Sequence, residues 1–189
     1  MDLSRYSAAH FDRGASRIRE ALWQVVSFSF FRLPCPLPSA FRVALLRAFG
    51  ARIGDYAVVR AGVNITFPWR LEMGDHVWIG EEVTILSLAR VKLGSHVCIS
   101  QKAFLCTGSH DFSKETFDLQ TRPITVGDHV WIAAQTFVAP GVKIGQGCLI
   151  CAGSVVTKDV PQRSIIRGNP ASVVRTLGMT SQIPHAENS

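Results

Sequence analysis

Residues Val126–Val160 read VGDHVWIAAQTFVAPGVKIGQGCLICAGSVVTKDV, and an aliphatic side chain returns there at every sixth position: Val126, Ile132, Val138, Ile144, Ile150 and Val156. The fifth place of each hexad is restricted too, holding Val130, Thr136, Val142, Cys148, Ser154 and Val160. Two inward places per six residues, separated by polar and Gly-rich stretches, describe a short strand followed by a turn. Three such units close a triangular coil, and stacked coils bury a column that no single coil could bury alone. An amphipathic helix would repeat every 3.6 residues or so, which this stretch does not.

The same register runs upstream through Ile53, Val59, Ile65, then Met73, Ile79, Ile85, then Leu93, Ile99, Leu105. Fifteen hexads in five coils result, and Trp69 is the one bulky residue in the fifth column. Gly54, Gly74, Gly80, Gly94, Gly127 and Gly145 directly follow the aliphatic residue, where the backbone must bend or pack closely. Coils one and two are each followed by two extra residues (Leu71-Glu72 and Val91-Lys92) and coil three by fifteen, Asp111 to Thr125. All three insertions fall at one corner of the triangle. A long excursion from a rigid repeat is where function tends to sit.

Ahead of the repeats, residues 13–32 and 38–49 have the pattern of two short amphipathic helices, split by Pro34-Cys35-Pro36-Leu37-Pro38. They are expected to cap the open end of the solenoid and protect its edge strands. A second use is open: Trp23, Phe28, Phe30 and Phe31, near Arg17, Arg19 and Arg32, would suit a membrane surface. The expected layout is a cap over 1–50, a β-helix over 51–175 with its loop at 111–125, and a polar tail over 176–189.

The bulk numbers fit this plan. With 189 residues, 47% hydrophobic and 18% charged, the chain is globular rather than disordered. Its +6 formal charge suits an anionic ligand. No basic run interleaved with aromatics and no nucleic-acid-binding motif occurs, so nucleic acid is not expected as a partner. Cys35, Cys98, Cys106, Cys148 and Cys151 are odd in number, and the spacing of Cys148 and Cys151 follows from the hexad, so free thiols in a cytoplasm are expected. No signal peptide or membrane span is expected.

With the repeats laid out, the chain resembles the hexapeptide-repeat acyltransferase superfamily, and within it the colanic-acid and exopolysaccharide biosynthesis acetyltransferases. The resemblance is carried by FPWRLEMGDHVWIG (67–80), CTGSHDF (106–112), PITVGDHVWIAA (123–134), VAPGVKIG (138–145), AGSVVTKDVP (152–161) and RGNPASVVR (167–175). It implies an all-β fold, a left-handed parallel β-helix, with the handedness coming from the resemblance alone since the period is silent on it. It also implies acetyl-CoA as co-substrate, no metal, and a homotrimer with sites between neighbouring subunits. The acceptor expected is a sugar or a lipid-linked oligosaccharide, and the protein is expected in the cytoplasm, with a peripheral contact at the inner membrane through residues 13–32 left open beside capping.

Acyl transfer from a thioester to a hydroxyl needs a base, donors for the tetrahedral oxyanion and a hold on the CoA. His110 is the sixth residue of its hexad, an outward place, and it opens the long loop. It matches the family's catalytic histidine in TGSHD, and an imidazole can accept a proton at cellular pH. Asp111 could orient it, as could a backbone carbonyl. For CoA the resemblance carries over Ala134, Ala152, Thr157, Lys158 and Arg175, with the Ala134 amide as candidate oxyanion donor and Lys158 and Arg175 for the adenosine phosphates. Trp131 is the candidate wall beside the thioester, and Ala133 stands where VWIGA has Gly. For the acceptor, Arg70, Arg90, His110 and Lys143 hold equivalent places in the third hexads of coils one to four, a basic column suited to a phosphate-bearing acceptor. Asp111 stands beside it. The related maltose and galactoside acetyltransferases place a carboxylate near Ser87-Leu88, and none is present here.

Three rival readings stand beside this one. His76, His96 and His129 share the fourth place of the first hexad in coils two to four. They should form a ladder on one corner, although three histidines also invite a zinc carbonic anhydrase of this architecture. A β-helix can serve as a non-catalytic scaffold. Cys106, four residues before His110, could act as the nucleophile of a ping-pong transferase.

Overall fold

Each hexad folds as a strand of two or three residues and a turn, and the strands of successive coils pair in parallel to make three flat faces. In the computed structural model, which describes residues 2–7, 11–32 and 37–178, these faces form a left-handed parallel β-helix. The first face stacks Arg52–Ile53, Leu71–Met73, Val91–Leu93, Ile124–Val126 and Lys143–Ile144. The second runs from Val58–Val59 through Trp78–Ile79, Cys98–Ile99, Trp131–Ile132 and Leu149–Ile150 to Ser164–Gly168. The third stacks Asn64–Ile65, Thr84–Leu86, Phe104–Cys106, Phe137–Val138 and Val155–Val156. All fifteen hexad-opening residues lie in these strands. A partial sixth coil follows the five expected: Val160 bridges Ile144 and Ile166 pairs with Ile150.

The hexad column is the core. Val59, Ile79, Ile85, Ile99, Leu105, Ile132, Val138 and Ile150 are fully buried. The glycine after each aliphatic residue answers a close approach: a Cβ on Gly94 would sit 2.8 Å from the backbone of both Gly127 and Asp128 in the coil above. The fourth residue of the hexads takes a left-handed backbone, with φ of +56° or +57° at Tyr56, His76, His96 and His129. One shared conformation in successive coils superposes the side chains, and the four rings stack 4.8 Å apart at interplanar angles of 10° or less. That separation is the spacing of paired strands. The expected histidine ladder is present, and Tyr56 is its fourth member.

The third corner departs from the expected register. After Ile65, Ile85 and Leu105 the chain turns Phe67, Ser87 and Thr107 inward, all three buried. Trp69 and Ala89, in the fifth column, are half-buried, and Ser109 is exposed. Leu71, Val91 and Ile124 then enter the core in register with one another. The two-residue insertions are therefore part of the first face. Buried hydroxyls satisfy the bent backbone: Ser87 Oγ accepts from Phe67 N at 2.8 Å and donates to Phe67 O at 3.0 Å. Thr107 Oγ1 likewise accepts from Ala89 N at 2.9 Å and donates to Leu86 O at 2.6 Å.

Helix α1 (Arg17–Ser27), capped by Ser16, and helix α2 (Ser39–Ala48) lie at the first coil. Residues 11–15 ahead of α1 are not helical, and α1 ends in a π-helical turn, Phe28–Arg32. Trp23 reaches inward and donates from Nε1 to Ile65 O at 2.8 Å. Trp23 and Phe31 are buried and Phe30 is half-buried, so of the four aromatics expected to meet a membrane only Phe28 is exposed. Arg19 is also half-buried, donating to Phe49 O and lying over the Trp69 ring. At the far end, Ala171–Thr176 folds back antiparallel on Ser164–Gly168. Cys35 with most of the Pro-rich breaker, His10, and the tail from residue 179 on, His185 included, lie outside the described residues.

Candidate active site

The excursion after coil three is an antiparallel hairpin, Gly108–His110 against Leu119–Thr121, that leaves the corner between the third and first faces. It begins at Gly108, earlier than the expected loop at 111–125, because Thr107 has already turned inward. His110 thus stands on a hairpin strand and not on a hexad turn, and it is half-buried outside the core. Its Nδ1 lies 2.9 Å from Phe117 O. A carbonyl can only accept, so Nδ1 carries the proton and the neutral ring presents Nε2 as the base. The Phe117 ring lies flat on the imidazole, centroids 4.3 Å apart and planes 3° apart. Phe117 has φ +48°, a conformation a bulky residue holds only under constraint from its surroundings, and one residue thereby supplies both the carbonyl and the stacking face.

Asp111 does not orient the imidazole. Its Oδ1 accepts from Ser113 N and Ser113 Oγ at the hairpin's tip, and the Ser113 hydroxyl holds its carboxyl below the usual range. Asp118 is lowered by hydrogen bonds from Thr116 and Lys114, whose ammonium is raised in turn by Asp118.

The N-terminal segment reaches the site, a contact for which its sequence carries no periodic or spacing signal. Asp2 N donates to Glu115 O at 2.8 Å, Arg5 pairs with the Glu115 carboxylate, and the Tyr6 ring meets His110 edge-on at 5.4 Å. Between this segment and the hairpin opens a cleft of about 570 Å³ lined by Ser7, Phe11, Asp12, Arg70, Asp118, Leu119 and Thr121. Leu119 is the cross-strand partner of His110.

The expected basic column does not form, since the bend at the third corner breaks the equivalence of the hexads. Lys143 is in register with Thr125, and through it with Lys92 and Glu72, on the first face. Arg70 lies over Phe11 and Phe67 and donates to Asp12 O, and burial lowers its pKa. Arg90 is paired with Glu72. Of the four, Arg70 alone lines the cleft beside the hairpin. Ser87, half of the Ser87-Leu88 pair at which the resemblance leads one to look for an acceptor-binding carboxylate, is a core hydroxyl.

The residues carried over for CoA fall into two groups. Thr157 and Lys158, both exposed, follow the third face in coil five, at the same corner as His110 and two coils above it. Ala134 and Ala152 lie at the corner between the second and third faces, where Gly153 N donates to Ala134 O. Trp131, 47% exposed, stands out from the second face and donates from Nε1 to Ser100 Oγ; Arg175 is on the return strand at the end of that face. The width of the third face separates the two groups. Ala133 is buried, its amide donating to Ile150 O.

The outward residues differ by face. Those of the first are polar or charged: Arg52, Glu72, Lys92, Thr125 and Lys143. Val58, Trp78, Cys98, Trp131, Leu149 and Ile165 point out from the second, while Phe104, Phe137 and Val155 follow Asn64 and Thr84 on the third. From coil three onward two adjacent faces are therefore apolar outside as well as inside, and they share the Ala134–Ala152 corner.

The rival chemistries find no support in this geometry. Imidazoles stacked in parallel planes cannot converge on one ion, and no group of His, Cys, Asp and Glu among the described residues could hold a metal. Cys106 is buried, its thiol donating to Gly108 O at 3.1 Å.

Residues 123–158 match the family model described as bacterial transferase hexapeptide (six repeats). The chain is 42% identical over 174 residues to the Escherichia coli K12 protein named "Putative colanic acid biosynthesis acetyltransferase WcaF", covering 92% of this chain and 96% of that one. It is 30% identical over 139 residues to the galactoside O-acetyltransferase of the same organism, covering 72% of this chain and 68% of the relative. Among solved structures, the hexapeptide-repeat acetyltransferase VCA0836 of Vibrio cholerae, complexed with acetyl-CoA, superposes with a TM-score of 0.79 at 27% identity, over 93% and 97% of the two chains. A galactoside acetyltransferase in complex with coenzyme A gives a TM-score of 0.78 at 26% identity, over 85% and 82%. From the hexad columns through to the hairpin, the chain belongs to the hexapeptide-repeat acetyltransferases that use acetyl-CoA.

Proposed function

We propose that the protein moves an acetyl group from acetyl-CoA to a sugar hydroxyl during exopolysaccharide assembly, with His110 as the general base. The observation that carries this reading is the imidazole on the hairpin, its Nδ1 proton committed to Phe117 O and its Nε2 free to take a proton. In the reaction, Nε2 takes the acceptor's hydroxyl proton as that oxygen attacks the thioester carbonyl. The tetrahedral intermediate collapses with loss of the CoA thiolate, which recovers the proton from the imidazolium. The products are the acetyl ester and CoA thiol.

The two groups of CoA candidates favour a site completed by a second copy. If the apolar second and third faces pack against their counterparts around a threefold axis, the His110 corner of one copy meets the Ala134–Ala152 corner of its neighbour. The pantetheine arm would then run past two side chains without bulk, the Ala134 amide would face the oxyanion, and Trp131 would wall the thioester. Lys158 and Arg175 would meet the adenosine phosphates. The cleft holding Asp12, Arg70 and Asp118 supplies hydrogen-bonding groups for a sugar. The acceptor we favour is a lipid-linked oligosaccharide, and with it a cytoplasmic station peripheral to the inner membrane, met through residues 13–32. The relative named for colanic acid biosynthesis supports the pathway class.

The test is acetyl-CoA turnover against lipid-linked and nucleotide-linked sugars, with wild type and His110→Ala compared. Acceptor-dependent release of CoA thiol that is lost in the variant is expected; equal rates for the two proteins would remove His110 from the chemistry.

A further inference from the structure

Helix α1 is apolar on two opposite sides. The inner side carries Trp23, which packs on Phe31 and Phe49, together with buried Ser27. At about 100° per residue, Ile18, Leu22 and Val25 fall together on the side turned away from Trp23, with Phe28 just beyond in the π-helical turn. These four are 74%, 55%, 65% and 58% exposed. Capping the first coil accounts for the inner side only, and a surface helix ordinarily turns polar residues outward. Phe41 of α2, also exposed, packs edge-on against Phe30 of the same turn.

The charge of the cap is one-sided as well. Residues 13–49 contain six arginines and a single carboxylate, Glu20, a net +5 of the chain's +6; the rest of the chain has fourteen basic and thirteen acidic groups. Glu20 is engaged by Arg13. Arg17 and Arg32, both exposed, stand at the two ends of the segment that bears the apolar stripe.

We infer that the outer side of α1 docks on an anionic phospholipid bilayer. The helix lies in the plane of the interface, with Ile18, Leu22, Val25 and Phe28 at the acyl boundary and Arg17 and Arg32 among the lipid phosphates. Another copy of the chain fits less well, because a second cap would set +5 against +5 and the remainder of the chain is nearly charge-balanced. Negative headgroups complement both the stripe and its rim. This deepens the membrane contact proposed above and names the surface that makes it.

The test is sedimentation of the full chain with vesicles of phosphatidylcholine alone or mixed with phosphatidylglycerol, at low and high salt and without acetyl-CoA. Binding to the mixed vesicles that high salt weakens is expected, with little binding to phosphatidylcholine alone. Leu22→Glu combined with Val25→Glu should lower the apparent affinity about tenfold or more while elution volume and acetyl-CoA turnover with a soluble nucleotide-linked sugar stay unchanged. Arg17→Gln combined with Arg32→Gln, which leaves the apolar stripe intact, should weaken binding and flatten its salt dependence. Absence of binding to anionic vesicles, equal binding by either variant, or a smaller assembly in the Leu22/Val25 variant would overturn the inference. Vesicle binding is read without the reaction, so a failure of the transfer chemistry and a failure of docking are separate results.

Discussion

The imidazole of His110 and the main-chain carbonyl of Phe117 are joined by a 2.9 Å hydrogen bond, so the residue that follows the hairpin's tip decides which nitrogen of the ring is basic. His110→Ala is expected to lower kcat by about 10²–10⁴. The KM for acetyl-CoA should change little, since the ring meets the acceptor. Phe117→Ala keeps the carbonyl and removes the stacked ring, and we expect a smaller loss in kcat, about tenfold, as the imidazole gains freedom. Both are read from steady-state release of CoA thiol.

Tyr6 closes the other side of the ring. Tyr6→Ala should reduce kcat while Tyr6→Phe, which preserves the edge contact, should retain it. Equal activity of all three proteins would show that the N-terminal segment is only draped over the hairpin.

His110 and the Ala134–Ala152 corner lie on opposite edges of the third face, which predicts complementation between two inactive proteins. His110→Ala and Ala152→Phe should each be inactive alone. Co-refolded in equal amounts, they should recover about a quarter of wild-type activity, since random assembly leaves that share of the interfaces with both partners intact. Recovery of nothing would place the whole site within one copy.

At the hairpin's tip, Asp111 and Asp118 are lowered from the usual carboxylate value of 3.8 by hydrogen bonds to their charged forms, and Lys114 is raised from 10.5 by Asp118. A depressed acid adds stability above its unfolded pKa and loses it as pH falls through its folded pKa. A raised base adds stability below its unfolded pKa and loses it as pH climbs through its folded one. The tip should therefore be ordered across the neutral range and loosen only in strong acid or strong alkali. Hydrogen exchange at Ser113 followed against pH checks this, and a loss of protection near neutrality would contradict it.

Thr107 holds the bend from which the hairpin leaves. Thr107→Val leaves Ala89 N without its partner in a buried corner and takes from Leu86 O one of its two donors, the Thr107 amide remaining, so a loss of about 1–3 kcal/mol is expected in chemical denaturation.

The prism itself was legible because its period is strict: Ile79, Ile99 and Ile132 each sit where the hexad count puts them. The third corner was not, since its inward residues, Phe67, Ser87 and Thr107, share no chemical type and occupy the third place of their hexads, where no other corner buries a side chain. A signal existed in the small fifth column failing at Trp69. The base was readable at His110, yet its orienting group was not, as a main-chain carbonyl leaves no mark on a sequence. Tyr6 was missed for a similar reason: it meets His110 across more than a hundred residues, and nothing periodic links them.

The two ends of the prism are finished differently: helices cover the first coil, while Ala171–Thr176 doubles back across the last. On the second face the return strand covers the last parallel strand, so that face no longer ends on the edge another copy's first coil would continue. A chain cut before Ser164 would instead leave Leu149–Ile150 as a bare parallel edge, and we would look for fibres.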